Sequence, residues 1–171
     1  MILVKDVIQS ILYDKGEMYA RKHSNEELIN TINLVLNYLN LALINADSDY
    51  IVKEKDIKLK NGKALVPEDF VKLKGVESQD YNGKTKVLGH TLYLDSDETI
   101  SYFYQIPKVL TIEDEIDLPY LFFALLVRYA GGILDGAIQS DTLANALSGE
   151  VQRMTQSNTV GPIIRPMQFY V

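Results

Sequence analysis

The sequence contains no cysteine and no tryptophan. Without cysteine there can be no disulfide framework, no thiolate nucleophile and no sulfur-ligated zinc, so stability must come from packing. Cations are also in deficit: 17 Lys and Arg stand against 23 Asp and Glu, for a formal net charge of -6. Nucleic-acid phosphates are neutralised by Lys and Arg, so this balance opposes a general affinity for DNA or RNA. The strongest apolar run, residues 118–130, contains Arg128 and falls short of the roughly 20 apolar residues that cross a bilayer. The opening residues, interrupted by Lys5 and Asp6, lack the small-residue cleavage site of a secretory signal. A soluble product made in the cytoplasm, with no membrane partner, is expected.

The composition that remains is that of an ordinary globular chain. Its 47% hydrophobic and 23% charged residues exclude wholesale disorder, and 171 residues suit one domain. Apolar residues from Ile2 to Tyr13 recur at spacings of three to five, which predicts a first helix. Ser24-Asn25-Glu26-Glu27 has the form of a capping box and should open a second helix running to about Ala46. Tyr50-Ile51-Val52, Ile57-Lys58-Leu59, the turn dipeptide Asn61-Gly62 and Ala64-Leu65-Val66 read as a β-hairpin. A further turn is expected near Asn82-Gly83. Strands should follow at residues 70–73, 86–88, 91–94 and 99–106. In the last of these Phe103 breaks the alternation, as in a strand covered on both faces at the centre of a sheet. Asp117-Leu118-Pro119 predicts an acidic cap and a third helix to about Leu134, and Gly136 a stop. A fourth helix is predicted from around Ser140 or Asp141 towards Met154.

The predicted fold is therefore α+β, with about four helices in a bundle and one small antiparallel sheet inserted between helices two and three. The domain spans residues 1–155, with helices within 1–46, the β region at 50–107 and further helices within 117–155. An extended C-terminal arm occupies 156–171. There, Pro162 and Pro166 forbid regular helix, while the flanking Val160, Ile163, Ile164, Arg165, Met167, Phe169 and Tyr170 are too apolar as a group for a solvated tail. These nine residues are the candidate interface.

Signatures of catalysis and metal binding are sparse. No phosphate-binding glycine loop is present, because Gly131-Gly132 and Gly136 belong to a helix end. His23 and His90 lack metal-site spacing. Asp95-Ser96-Asp97-Glu98-Thr99 begins like a calcium loop but has Ile100 where that loop needs glycine. The acidic run Glu113 to Asp117 reads as helix-start electrostatics. Ser148 lies in a helix without a nucleophile elbow. Glu26, Glu27, Glu68 and Asp69 are carboxylates that a glycosidase could place across a cleft. Eleven tyrosines suit either interfaces or a two-sided sheet; Tyr93, Tyr102 and Tyr104 are read as sheet filling and Tyr170 as interface. No cofactor is expected.

Three segments taken in order carry a resemblance: Leu65-Val66-Pro67-Glu68-Asp69-Phe70-Val71-Lys72-Leu73, Ile100-Ser101-Tyr102-Phe103-Tyr104 and Leu118-Pro119-Tyr120-Leu121. Between about Asn25 and Asp135 the chain resembles the head-to-tail adaptor (connector) proteins of tailed bacteriophages. The resemblance implies a non-catalytic subunit of a homo-oligomeric ring, of about twelve copies. It would sit in the neck of the virion, bind the portal protein and further neck or tail proteins, and extend the channel through which genomic DNA passes without sequence-specific binding. In that family terminal segments dock on the portal, which here points to the arm. Two alternatives stand beside it: a phage-associated glycan hydrolase, and a soluble scaffold module outside any virion.

Overall fold

The computed structural model describes residues 1–18, 21–74 and 86–159, with the backbone alone at 140–141 and 156–159. Four α-helices and three small antiparallel sheets make up the described chain, a mixed α+β architecture. The helices are α1 (Val4–Asp14), α2 (Asn25–Asn45), α3 (Phe123–Leu134) and α4 (Ser140–Thr159). α2 is central: it packs on both α3 and α4, and α1 packs on α3. The capping box forms as expected, with the Glu27 amide donating to Ser24 Oγ at 3.2 Å and the Ser24 amide to Glu27 Oε2 at 2.9 Å. At 21 residues α2 is long and apolar enough to cross a bilayer by length and composition alone, which the reading of residues 118–130 as the strongest apolar segment missed. Its buried Leu28, Ile32, Val35, Leu36, Leu39 and Leu43 are consumed by the core instead.

The single inserted sheet of the sequence reading is replaced by three. β1 (Ile2–Leu3) pairs with β8 (Glu115–Ile116), so the first two residues of the predicted helix one are extended and clip the chain start to the segment before α3. The second sheet has the order β2 (Val52–Ile57), β7 (Glu98–Tyr104), β4 (Phe70–Leu73). β7 is its central strand, in agreement with the two-sided covering inferred from Phe103, which is fully buried. The third has the order β3 (Lys63–Leu65), β6 (Thr91–Tyr93), β5 (Lys86–Leu88).

The predicted 57–66 hairpin is corrected in an instructive way. Its turn exists: Asn61 and Gly62 both have positive φ, 56° and 71°, the conformation a two-residue type I′ turn needs. Lys60 and Lys63 exchange backbone hydrogen bonds across it at 2.8 and 3.3 Å. Beyond that single bridge the two sides part, because β2 pairs with β7 and β3 pairs with β6. The Leu59 amide donates to Asp97 Oδ1 at 2.8 Å, which turns the chain out of the ladder. Asn82-Gly83 lies outside the described residues.

α3 begins differently from the expected acid-capped start. Pro119 precedes a 3-10 turn, Tyr120–Phe122, with no side-chain cap, and the Asp117 carboxylate is held by the Tyr104 hydroxyl at 3.2 Å. The end of α3 is a Schellman turn: the Gly136 amide donates to the Ile133 carbonyl and the Ala137 amide to that of Gly132, with Gly136 at φ 68°. A side chain at Gly132 would collide with Ile138, whose Cδ1 lies 2.5 Å from where a Cβ would stand. α4 runs on to Thr159, four residues into the expected arm, because no helix breaker occurs before Gly161. Val160, Pro162, Ile163, Ile164, Arg165, Pro166, Met167, Phe169 and Tyr170 lie outside the described residues.

Two asparagines of α2 join the helical layer to the chain leaving β7. Asn40 Nδ2 donates to the Tyr104 carbonyl at 3.1 Å and its Oδ1 accepts from the Ile106 amide at 3.3 Å. Two turns earlier, Asn33 Nδ2 donates to the Val109 carbonyl at 2.7 Å and its Oδ1 accepts from the Val109 amide at 2.8 Å. Each primary amide thus replaces a strand neighbour. Asn40 is only 1% exposed, so removing its amide strands a buried donor and acceptor. Asn40→Ala should lower the unfolding free energy by about 2–4 kcal/mol, against at most about 0.5 kcal/mol for Asn30→Ala on the exposed face. Urea denaturation of the two variants measures the difference.

Candidate functional site

Two of the segments singled out in the sequence, 65–73 and 100–104, meet in space, and the chain just before Leu118-Pro119 joins them. Phe70, at the start of β4, stacks on Tyr102 of β7 with centroids 5.7 Å apart. The residue before it, Asp69, accepts from the Tyr102 hydroxyl at 3.0 Å and from Lys53 Nζ of β2 at 2.9 Å. Its carbonyl accepts from the Gln105 amide at 2.7 Å. Lys53 also lies 3.9 Å over the Tyr104 ring. The Tyr104 hydroxyl in turn donates to the carbonyl and carboxylate of Asp117, immediately before Leu118-Pro119, at 3.0 and 3.2 Å. One chain of contacts, Asp117 to Tyr104 to Lys53 to Asp69 to Tyr102 to Phe70, joins the first two segments and ends at the residue before the third.

Electrostatics make this cluster a brace. Burial works against ionisation of Asp69, but the hydrogen bonds from Lys53 and Tyr102 and the Lys53 charge outweigh it and hold the carboxyl below its ordinary value. Burial, followed by the neighbouring carboxylates, raises the Tyr102 and Tyr104 hydroxyls, so both stay protonated as donors. An ionised, ion-paired carboxylate beside high-pKa phenols is poorly matched to general acid or base work near neutrality.

The other carboxylates singled out as candidates are dispersed or spoken for. Glu27 closes the capping box. Glu68 is exposed, and Glu26 sits at the mouth of a groove along α2. Asp114 accepts from the amides of Leu110 and Thr111 and the Thr111 hydroxyl at 2.7–2.9 Å, which lowers its pKa. Together with Asp117 it shows that the 113–117 run braces loops and does not serve the start of α3. Asp97, from the calcium-like segment, is the acceptor for Leu59. His90 is exposed in the β5–β6 turn. His23 lies 3.6 Å from the buried Glu17 and 3.8 Å from Glu27. Glu17 accepts from the amides of Lys22 and His23, which lowers its pKa. Ser148 is half-buried on α4. No group of three metal-ligating side chains occurs among the described residues. Tyr102 and Tyr104 fill the sheet, and Tyr93 is half-buried with Lys63 over its ring at 5.4 Å.

Open grooves lie on the surface of the described residues, two of them apolar at the floor and polar at the edge. The first, about 520 Å³, runs between α2 and residues 108–110 and is lined by Asn30, Asn33 and Asn37 with Ile29, Leu34 and Leu110. The second, about 450 Å³, lies beside the Asn61-Gly62 turn and is edged by Lys55, Lys58, Lys60 and Lys63 with Leu65. Leu110 and Leu65 are 78% and 77% exposed, and Tyr120, stacked on Phe123 at 5.0 Å, is 65% exposed. The asparagine row of the first groove escaped sequence reading, although four asparagines at 3-4-3 spacing inside one helix, where asparagine is a weak helix former, is a visible signal.

No family model matches the chain, and no curated protein shows significant similarity to it.

Because Asp69 is held below its unfolded value of 3.8, its stabilisation is complete above that value and is lost as pH falls through the lower, folded value. After discounting for solvent screening, the bridge should contribute on the order of 1 kcal/mol at neutral pH. In an unfolding series against pH, Asp69→Asn should be less stable than the parent at pH 7, with the gap closing as the pH falls below 3.8 and through the lower, folded value. A gap that stays constant across the acid range would show that the Asp69 charge has no part in it.

Proposed function

We propose that this chain is a structural subunit of a head-to-tail adaptor ring in a tailed bacteriophage, binding the portal and extending the DNA channel to the tail. The observation that carries the reading is the meeting of the first two family-like segments and their link, through Asp117, to the start of the third. Strand pairing sets the Leu-Val-Pro-Glu-Asp-Phe segment beside the Tyr-Phe-Tyr strand, and side chains of both, Asp69, Phe70, Tyr102 and Tyr104, then join Asp117 at the entry to the Leu-Pro segment. Their joining gives the order of the segments a physical reason: together they pin the β region against the start of α3.

Two further features support a role in assembly. Leu110, Leu65, Tyr120 and Leu121 are large apolar side chains exposed on several elements, which neighbouring subunits of a ring would cover. The apolar C-terminal sequence, with Pro162 and Pro166, offers an extended ligand that gains main-chain hydrogen bonds and buried area together once a partner is present. The net charge of -6 suits a channel wall that repels DNA phosphates and lets the duplex slide.

Removal of residues 160–171, beyond the end of α4, should leave the helical content and thermal unfolding of the domain nearly unchanged. It should also abolish incorporation into particles, as measured by mass spectrometry of purified virions from a complemented deletion strain. Normal incorporation of the truncated chain would refute the role assigned to the arm, and wild-type tailed particles that lack the chain altogether would refute the adaptor reading.

A further inference from the structure

α2 carries asparagine at positions 30, 33, 37 and 40. At about 100° per residue, positions seven apart almost eclipse, so Asn33 and Asn40 form one row and Asn30 and Asn37 another, about 60° further round the helix. At the ~5 Å radius of helical side chains, 60° is an arc of about 5 Å, which matches the distance between neighbouring strands. The first row is occupied: its two amides bracket the extended segment 104–109. Asn30 and Asn37 are exposed, their side chains make no hydrogen bond within the described residues, and they line the groove beside that same segment. The Lys108 amide is likewise without an acceptor among the described residues.

We infer that this groove takes a second extended segment, laid beside residues 106–110 with Asn30 and Asn37 bracketing its peptide units, and that the occupant is the C-terminal segment 160–171 of a second copy. The inference rests on the ring reading above for the identity of the donor as a neighbouring copy. Three observations favour this occupant.

The first is the pattern of the segment already held. Its bracketed peptide units flank Pro107 within Gln105-Ile106-Pro107-Lys108-Val109, and Ile164-Arg165-Pro166-Met167-Gln168 places a proline midway in the same manner. A proline interrupts a strand ladder because it has no N–H to donate. Two asparagines seven apart on a helix, separated by about 10 Å, grip on either side of it and leave the gap free. The second is chemistry. Ile29, Leu34 and Leu110 offer apolar contact to Ile163 and Ile164, and Glu26 at the groove offers an anion to Arg165. The third is reach. Twelve residues beyond α4 extend up to about 40 Å, enough to leave one subunit and cross the face of the next. Groove and arm are different surfaces, so the contact is heterologous, the kind that closes into rings when the rotation permits.

The absence of cysteine makes the test clean. In the full-length chain, Asn37→Cys combined with Ile164→Cys should form disulfides under mild oxidation and give a ladder of covalent oligomers on a non-reducing gel, while each single variant gives none. Only an internally cross-linked monomer, or no cross-link at all, would overturn the inference. Asn30→Ala with Asn37→Ala should weaken self-association by about tenfold or more in sedimentation, through loss of several hydrogen bonds. Circular dichroism should stay unchanged, since both side chains are exposed. The ring reading is decided on particles and the groove on the purified chain, so a ring in the neck together with no trans cross-link retires the groove alone.

Discussion

The polar link between the central helix and the central sheet passes through two asparagine side chains. A chain leaving the central strand of a sheet carries N–H and C=O groups that water cannot reach, and leaving them unpaired in a core costs more than the hydrogen bond itself would contribute. Asn40, buried beneath the helical layer, satisfies Tyr104 and Ile106; Asn33 does the same for Val109. A single helix face thereby sets where β7 ends, in which direction the chain departs and how far it stands from α2. A primary amide suits this role because it presents donor and acceptor side by side, in the geometry of a peptide unit.

From that anchor the polar cluster follows. With the exit of β7 held against α2, the Tyr104 hydroxyl reaches Asp117 and Tyr102 reaches Asp69, while Lys53 sits between the two tyrosines. Several carboxylates are spent on structure, Asp69 on Lys53, Asp117 on Tyr104, Asp114 on the 110–111 amides and Asp97 on Leu59, while Glu26 and Glu68 stay on the surface. What remains unspent lies on the surface, as amides along α2, lysines beside the Asn61-Gly62 turn and isolated large apolar side chains. A protein with these resources is equipped to hold neighbours, and the adaptor proposal builds on that.

The helices were legible because their signals are local. The Ser24 capping box, the 3.6-residue periodicity and the Gly136 stop each act within a turn or two of the residues that encode them. β7 was also legible as a central strand, since Phe103 breaks the alternation on its own. Sheet partition was not, because pairing is settled between distant segments. Asn61-Gly62 specifies a turn, yet nothing near it reveals that β2 will choose β7 and that β3 will choose β6. Asp117 had every local mark of a helix cap and was claimed by a tyrosine 13 residues away. Nothing local marks Asn33 and Asn40, since their partners lie 76 and 64–66 residues along the chain.

Electron cryo-microscopy of the neck of tailed particles produced with this chain addresses the central claim most directly. The account predicts a closed ring of identical α+β subunits seated against the portal, each with its α2 groove turned towards a neighbour. A complete portal-to-tail density with no copy of this fold would contradict it.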